Sequence, residues 1–237
     1  MKQFILDSGL SVIQALETLA QSGNKPFSAS LHPGIDGVLG IRIPALRALA
    51  REIARSGRVE EYLANPGDGY MEHRTLHGLV LGQVKVTDID RYLSDVLAFV
   101  KRINSWSVCD TFTFAGGKRF VAANRQRLFD FVTGFLDSSE EYEVRFAVVM
   151  LMSYFLDSES VPQILGLFEQ VVHEGYYVRM AVAWAVSVAC VRNPDYTMTW
   201  LAQNHLDSWT HNKALSKIRE SFRVSESVKQ TTRTLKR

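Results

Sequence analysis

The pattern of apolar and polar positions predicts helices along almost the whole chain. Apolar residues recur at helical spacing, and no segment shows the alternation with hairpin turns that is typical of β-strands. Pro44, Pro162 and Pro194 fall where helices are expected to begin, because a first-turn proline sacrifices no helical hydrogen bond. We therefore predict an all-α protein. The expected helices cover residues 3–21, 44–56, 58–64, 70–84, 88–102, 106–114, 118–135, 143–156, 160–173, 177–191, 195–203 and 210–222.

A repeated motif indicates that these helices form stacked pairs. The sequence YEVRFAV at residues 142–148 is followed 34 positions later by YYVRMAV at residues 176–182, and MEHRTL, SVCDTF and THNKAL are weaker copies. A period of this size is typical of helical repeats in which each pair covers the apolar face of the next. Since the tetratricopeptide signature is absent, we predict a curved α-solenoid of HEAT-like antiparallel helix pairs with a concave binding cleft. The equivalent positions are Arg74, Asp110, Arg145, Arg179 and Lys213, spaced by 36, 35, 34 and 34 residues.

The composition is that of an ordinary globular protein. Of the 237 residues, 46% are hydrophobic and 22% are charged, which excludes disordered, collagen-like and coiled-coil classes. We expect a single HEAT-like-repeat domain over residues 1–237. Within it we expect a divergent N-terminal segment at 1–39, which contains a Gly/Pro-rich loop at 23–40, and a basic C-terminal tail at 224–237.

The sequence favours a cytoplasmic protein. The longest apolar stretches, Phe146–Leu156 and Ala181–Val191, are each about 11 residues long, well short of the ~20 needed to span a bilayer. The first residues, MKQFILDSG, have too short an apolar run for a signal peptide. The two cysteines show no CxxC spacing, and such sparse use of cysteine is typical of a reducing cytosol.

Positive charge is concentrated at the C-terminal end. Residues 211–237 hold eight basic and two acidic side chains, a net charge of +6, whereas the whole chain carries +2. A basic end on a mildly acidic body suggests a polyanionic partner. The alternative is a solvated terminal helix followed by a frayed tail.

The repeat places the equivalent charged residues in one row along a surface. Arg145 and Arg179 are expected in the first turns of their helices, where the macrodipole disfavours a positive charge by ~0.3–1 kcal/mol. A bound phosphate would reverse this penalty, because arginine and helix-start N–H groups both favour anions. Pairing between repeats, for example of Arg145 with Asp110, is the alternative explanation.

Aromatic residues accompany the carboxylate of this row. Trp106 and Asp110 are one helical turn apart on one face, and Trp184 follows Arg179 in a later repeat. A lone tryptophan at helical spacing usually belongs to the core. A cavity lined by tryptophan faces and a carboxylate, however, suits a cation. An alkylated purine in DNA is such a cation, and its departure leaves an oxocarbenium-like sugar that a carboxylate would stabilise.

Five segments resemble the bacterial AlkC/AlkD-type HEAT-like-repeat DNA glycosylases, a DNA alkylation repair family. They are GIRIPALRAL (40–49), SWSVCD (105–110), YEVRFAV (142–148), YYVRMAVAWAV (176–186) and HNKALSKIRESF (211–222). The resemblance implies a glycosylase that hydrolyses the N-glycosidic bond of cationic N3- and N7-alkylpurines. It also implies that no metal or other cofactor is needed and that no flipped-base pocket is used.

The resemblance assigns roles to particular residues. It implies that Trp106 and Trp184 cradle the sugar and backbone of the lesion, and that Asp110 stabilises the oxocarbenium and places water. It also implies that Arg145 holds a phosphate next to the lesion. We expect a monomer that acts on alkylated duplex DNA, with no membrane partner. The further residues expected to bind DNA are Arg179, Lys213, Lys217 and Arg74.

The chain departs from this family at residues 23–40. Active members carry an amphipathic helix shortly before the GI-x-x-P motif, and that helix presses on DNA near the lesion. Here the stretch holds four glycines and two prolines, so we expect no helix and a weaker contact with DNA. Two alternatives therefore stay open: a non-catalytic HEAT-like nucleic-acid-binding protein, and a solenoid that scaffolds other proteins.

A metal site is not expected. His73 and His77 are four residues apart with Glu72 nearby, but their order is not HExxH and no third ligand is evident.

Overall fold

The computed structural model describes residues 4–237, and its regular elements are helices. The β-structure in this range amounts to an isolated bridge between Ile5 and Ser11. The predicted all-α class is therefore confirmed. The chain divides into two compact units, Met1–Asn124 and Arg125–Arg237.

The first unit contains eight helices within its described residues. Helix α3 packs on α5, and α5 packs on both α6 and α7. The fully buried residues Leu16, Ile53, Tyr62 and Leu76 form the centre of its apolar core. The helices are α1 (Val12–Ala20), α2 (Lys25–Ser30), α3 (Ile43–Arg55), α4 (Val59–Ala64), α5 (Met71–Leu81), α6 (Ile89–Val100), α7 (Trp106–Thr111) and α8 (Gly117–Ala123).

The predicted helix over residues 3–21 is wrong in its first part. Residue 3 lies outside the described residues, and α1 begins only at Val12. Ser11 caps α1: its side chain accepts from the backbone of Gln14, and the Gln14 side chain accepts from the Ser11 N–H at 2.9 Å. This capping box fixes the start of the helix. Phe4 and Leu6 precede the cap but are still buried, which is why the apolar pattern continued through a non-helical segment.

The expectation of no helix in residues 23–40 is also wrong, because α2 occupies Lys25–Ser30. Pro26 lies in the first turn, where its missing N–H leaves no bond unmade. The Asn24 side chain accepts from the backbone N–H of Phe27 at 3.1 Å and caps the helix. The rest of the stretch is non-helical, with Gly34, Gly37 and Gly40 at positive φ.

The second unit contains the copies of the repeat that matched most clearly. Helix α12 packs on both α10 and α14, so helices one period apart are neighbours, as the repeat predicted. The elements are α9 (Arg125–Thr133), α10 (Glu141–Met150), a π-helix (Leu151–Phe155), α11 (Val161–Glu169), α12 (Tyr176–Arg192), α13 (Pro194–Gln203), α14 (Ser208–Glu220), α15 (Glu226–Thr231) and a 3-10 turn (Thr232–Leu235).

Two predicted helices are interrupted, and the chain end is more ordered than a frayed tail. The helix over 118–135 is broken at Asn124, whose side chain donates to the Phe120 carbonyl at 2.9 Å. The helix over 143–156 changes to a π-helix at its end. Beyond α14, the Leu235 carbonyl lies 2.7 Å from Nε2 of the buried His211, and Arg237 donates to the Leu206 carbonyl at 3.1 Å.

Candidate functional site

Trp106 and Asp110 lie together on α7, as predicted. Ser105 caps this short helix by accepting from the backbone N–H of Val108. Val108 and Cys109 are fully buried and fix one side of α7 in the core. Trp106 and Asp110 are only half-buried. The indole and the carboxylate are therefore held on a helix that is anchored by its buried side.

The Trp106 indole is held by residues of the 23–40 stretch, for which the sequence predicted only a weaker contact with DNA. Its Nε1–H donates to the carbonyl of Leu31 at 3.0 Å. Its ring stacks on His32 with the centroids 5.1 Å apart and the planes at 12°. The loop that follows α2 thus covers part of Trp106 and fixes the plane of its ring.

His32 is itself buried, with 6% of its surface exposed. Its Nδ1 lies 2.7 Å from the Ser28 carbonyl. Because a carbonyl oxygen can only accept, Nδ1 carries the hydrogen in this contact. Within the part of the chain that the structure describes, the buried Nε2 has no hydrogen-bond partner. No local pattern predicts this contact, because His32 and Trp106 are far apart in the chain.

Glu72 fixes the end of the same loop. This glutamate is 1% exposed. Its carboxylate accepts from the backbone N–H groups of Leu39, Gly40 and Ile41, with the shortest distance, 2.7 Å, to Gly40. It also lies in the first turn of α5, where the helix dipole favours a negative charge. Glu72 thus accepts hydrogen bonds from the backbone at the start of the GI-x-x-P motif.

Gly40 shows why this motif begins with glycine. Its φ is +80°, and a Cβ there would lie 2.5 Å from the backbone nitrogen of Lys25. A side chain at this position would therefore be strained and would collide with the start of α2. Residues 24–39, which comprise α2 and the loop after it, are called the 24–39 loop. This loop leaves and re-enters the core at one point, because the Asn24 N–H donates to the Gly40 carbonyl at 3.0 Å.

Arg74, predicted to bind DNA, is paired within its own unit. Its guanidinium lies 2.7 Å from the carboxylate of Asp68.

The neighbouring His77 has its Nδ1 2.9 Å from the Arg102 guanidinium. Burial, reinforced by the charge of Arg102, lowers the pKa of His77 to about 3, so this imidazole is neutral near pH 7. Within residues 4–237, no group of three His, Cys, Asp or Glu side chains could hold a metal ion.

Arg145 and Trp184 lie on adjacent helices of the second unit. Arg145 is 5% exposed and donates to the carbonyl of Tyr177, in the first turn of α12, at 2.8 Å. Trp184 is half-buried in the middle of α12. The phosphate-binding role predicted for Arg145 stays a prediction, and its hydrogen bond to Tyr177 is with the next repeat.

Arg179 lies in the first turn of α12, and Lys213 and Lys217 lie on α14. Arg179 lies 3.7 Å from the carboxylate of Asp207 and 5.2 Å from the ring centre of Trp209. Burial raises the pKa of Asp207, but hydrogen bonds from Thr210 and the charge of Arg179 outweigh it and lower the pKa. Lys213 is half-buried on α14, and Lys217 pairs with Glu220 at 3.3 Å.

The predicted residues are thus shared between the two units. Arg74, Trp106 and Asp110 belong to the first, and the others belong to the second. The single row across both units stays a prediction. The site residues of the second unit are Arg145, Arg179, Trp184, Lys213 and Lys217.

Comparison with known families identifies the class of protein. A model of the DNA alkylation repair enzyme family matches residues 12–218, from the start of α1 to near the end of α14. The chain therefore belongs to the DNA alkylation repair enzyme family, which confirms the resemblance, and its role lies in DNA repair with DNA as its partner. No curated protein matches the chain significantly. No helix within residues 4–237 has both the length and the apolar character to cross a membrane.

Proposed function

We propose that this protein is a DNA glycosylase that hydrolyses the N-glycosidic bond of cationic N3- and N7-alkylpurines. The observation that carries the proposal is the pair Trp106 and Asp110, half-buried on the anchored helix α7 in a chain of the DNA alkylation repair family. In this site an aromatic face and a carboxylate lie one helical turn apart, and both attract positive charge.

The chemistry needs little acid catalysis. An N3- or N7-alkylated purine already carries a positive charge, so the base departs with the electron pair of the C1′–N bond as a neutral molecule. The charge then moves to the sugar as an oxocarbenium ion. The Asp110 carboxylate stabilises this cation and orients a water molecule, which attacks C1′ and gives up a proton to the carboxylate, from which the proton passes to solvent. The products are the free alkylated base and an abasic site.

Trp106 acts by holding an electron-rich ring in a fixed plane. Its hydrogen bond to Leu31 and its stacking on His32 restrict the indole, so less ordering is required when DNA binds. The family resemblance supports a further role for Trp184, on α12 of the second unit, in contacting the sugar and backbone of the DNA. Arg145 contributes by fixing the first turn of α12 through Tyr177 and by placing positive charge near a phosphate.

Contacts with the DNA backbone fall mainly to the second unit. Arg179, Lys213 and Lys217 are each partly exposed on α12 and α14, whereas Arg145 is buried. Each lysine or arginine that neutralises a phosphate makes binding more sensitive to salt. We therefore expect duplex affinity to fall steeply as the salt concentration rises.

A single-turnover excision assay tests this function. Duplex DNA that contains 7-methylguanine is incubated with excess protein, and the released base is measured for the wild type and for Asp110→Asn. Removing the carboxylate should slow release by about 100-fold or more, the range found when one group that stabilises transition-state charge is deleted. Asp195→Asn, which removes an exposed carboxylate on α13, is the matched control and should stay within about twofold of the wild type.

Two outcomes would overturn the proposal. One is release by the wild type at no more than the spontaneous rate, and the other is equal release by the wild type and Asp110→Asn. Salt-sensitive DNA binding without release would point instead to a non-catalytic nucleic-acid-binding protein. Absence of DNA binding at low salt would point to a protein scaffold.

A further inference from the structure

Four aromatic rings form a continuous series across three repeats of the second unit. Tyr142 stacks on Tyr177 with centroids 5.5 Å apart, and Tyr177 meets Tyr176 edge to face at 5.2 Å. Tyr176 in turn meets Trp209 at 5.6 Å. All four residues lie in the first turns of α10, α12 and α14, the neighbouring helices of the repeat. This aromatic series therefore marks one edge of the stacked repeats.

The two rings at one end of the series are exposed. Tyr176 is 52% exposed and Trp209 is 37% exposed, whereas Tyr142 and Tyr177 are half-buried. The half-buried pair is explained by packing between α10 and α12. Packing does not explain the exposed pair. Burying a large aromatic ring stabilises a protein, yet these two rings stay partly in water. An exposed pair of touching rings is instead a feature of binding surfaces.

Polar and cationic groups surround Trp209. The Arg179 guanidinium lies 5.2 Å from the ring centre. A groove of about 320 Å³ runs along α14 beside the ring. Lys213, one turn after Trp209, lines this groove together with Ser208 and Ser216, and the Ser216 hydroxyl donates to the Glu220 carboxylate at 3.1 Å. An ammonium group beside a hydroxyl, here that of Ser208, suits a phosphate. The Trp209 ring and the Lys213 ammonium group therefore line the same open groove.

We propose that Tyr176, Trp209 and the groove at Lys213 bind an unpaired stretch of DNA. A base stacks on the exposed rings, and its phosphate contacts Lys213. Sites for single strands combine aromatic platforms with basic grooves, because every base presents a flat face whatever its sequence. A paired duplex hides those faces, so exposed rings would add little to its binding. The segment 211–237, which begins within α14, carries a net charge of +6.

This inference rests on the DNA-binding part of the proposed function and is independent of the glycosylase chemistry. It assigns the rings at the helix starts to DNA whose bases are already exposed, such as a strand next to damage. The test therefore uses single-stranded DNA and duplex DNA side by side.

The test measures the affinity of a fluorescein-labelled oligothymidylate of 15 nucleotides, by anisotropy at low salt. Trp209→Ala should weaken binding by about tenfold, since stacking of one base on one ring is lost. Trp209→Phe keeps a ring and should restore most of the affinity. Tyr196→Ala removes a similarly exposed ring (39%) on α13, outside the series, and should bind like the wild type. Thermal melting of each variant verifies that it is folded.

Salt dependence tests the groove. Lys213→Gln should reduce the slope of log affinity against log salt by about 0.7, the value for one phosphate contact on a single strand. The inference is overturned if Trp209→Ala, once shown to be folded, binds within twofold of the wild type. It is also overturned if Trp209→Phe loses as much affinity as Trp209→Ala.

The two proposals fail in different ways. Normal excision of 7-methylguanine from duplex DNA by a protein without Trp209-dependent single-strand binding removes the inference and leaves the glycosylase. Single-strand binding that depends on Trp209, in a protein without excision, removes the glycosylase and leaves the inference.

Discussion

The carboxylate of Glu72 provides the sharpest test of how the candidate site is built. It is 1% exposed and accepts from three successive backbone N–H groups, those of Leu39, Gly40 and Ile41. Glu72→Gln keeps the size of the side chain but removes the charge and replaces one acceptor oxygen with a donor. The amide oxygen can still accept from all three N–H groups, as Oε1 of Glu72 does, but Leu39 loses its second acceptor, Oε2, and buried amide hydrogens take the place of that oxygen.

The magnitude follows from those contacts. The new side-chain amide donor has no partner beside the Leu39 N–H and costs about 1–3 kcal/mol, and a hydrogen bond to a charged group is worth about 1.5–3 kcal/mol. We therefore expect Glu72→Gln to lower the free energy of unfolding by about 3 kcal/mol. For a chain of this size that corresponds to a fall of about 6–12 °C in the melting temperature. Glu72→Ala, which leaves all three groups without this partner, should cost about 4–5 kcal/mol.

Two measurements check this prediction. Urea unfolding gives the loss of stability, with Glu52→Gln, an exposed glutamate of α3, as the control that should change by less than about 0.5 kcal/mol. Hydrogen exchange at the amides of Leu39 and Gly40 should accelerate in Glu72→Gln. If Glu72→Gln unfolds at the same urea concentration as Glu52→Gln, the carboxylate does not hold the loop as the structure indicates.

Two further predictions concern histidines of the first unit. The pKa of His77 is lowered to about 3 in the folded state. Between about pH 6.5 and pH 3 this imidazole is therefore protonated in the unfolded chain but not in the folded protein. The free energy of unfolding should fall by about 2 kcal/mol from pH 7 to pH 5. His77→Gln, which keeps an acceptor for Arg102, should flatten this part of the pH profile measured by urea unfolding, and an unchanged slope would contradict the assignment. His32→Ala removes the ring stacked on Trp106 and should lower the melting temperature by about 2–4 °C while raising fluorescence quenching by acrylamide. Quenching that rises equally when Trp106 is also replaced by Phe would show that another indole is responsible.

Local sequence signals predicted much of the helical architecture. Pro44, Pro162 and Pro194 all lie in first turns, and the helices that they begin were expected there. The same rule applied to Pro26 would have located α2, but the surrounding glycines outweighed it. The spacing of Trp106 and Asp110 likewise placed both on one helix, because a four-residue separation is a property of the helix itself.

Contacts between distant residues set the rest of the site, and no local signal encodes them. The burial of Arg145 against the Tyr177 carbonyl depends on how α10 meets α12. The stacking of His32 on Trp106 joins residues that the core brings together. Glu72 shows a weak signal, a carboxylate in a helix that also holds five hydrophobic side chains. That signal marks a buried partner but does not say which backbone it serves.

The closed base of the 24–39 loop has a consequence for how this family can diverge. Gly23 and Gly40 pack so closely that a Cβ on Gly23 would lie 2.5 Å from the Gly40 carbonyl oxygen, so the loop enters and leaves the core at one place. Doubling the length of a loop with fixed ends costs only about 0.6 kcal/mol of closure entropy. Insertions and deletions between residues 24 and 39 should therefore leave the remaining helices in place. Natural variation in length at this position can then change what covers Trp106 without requiring a new fold.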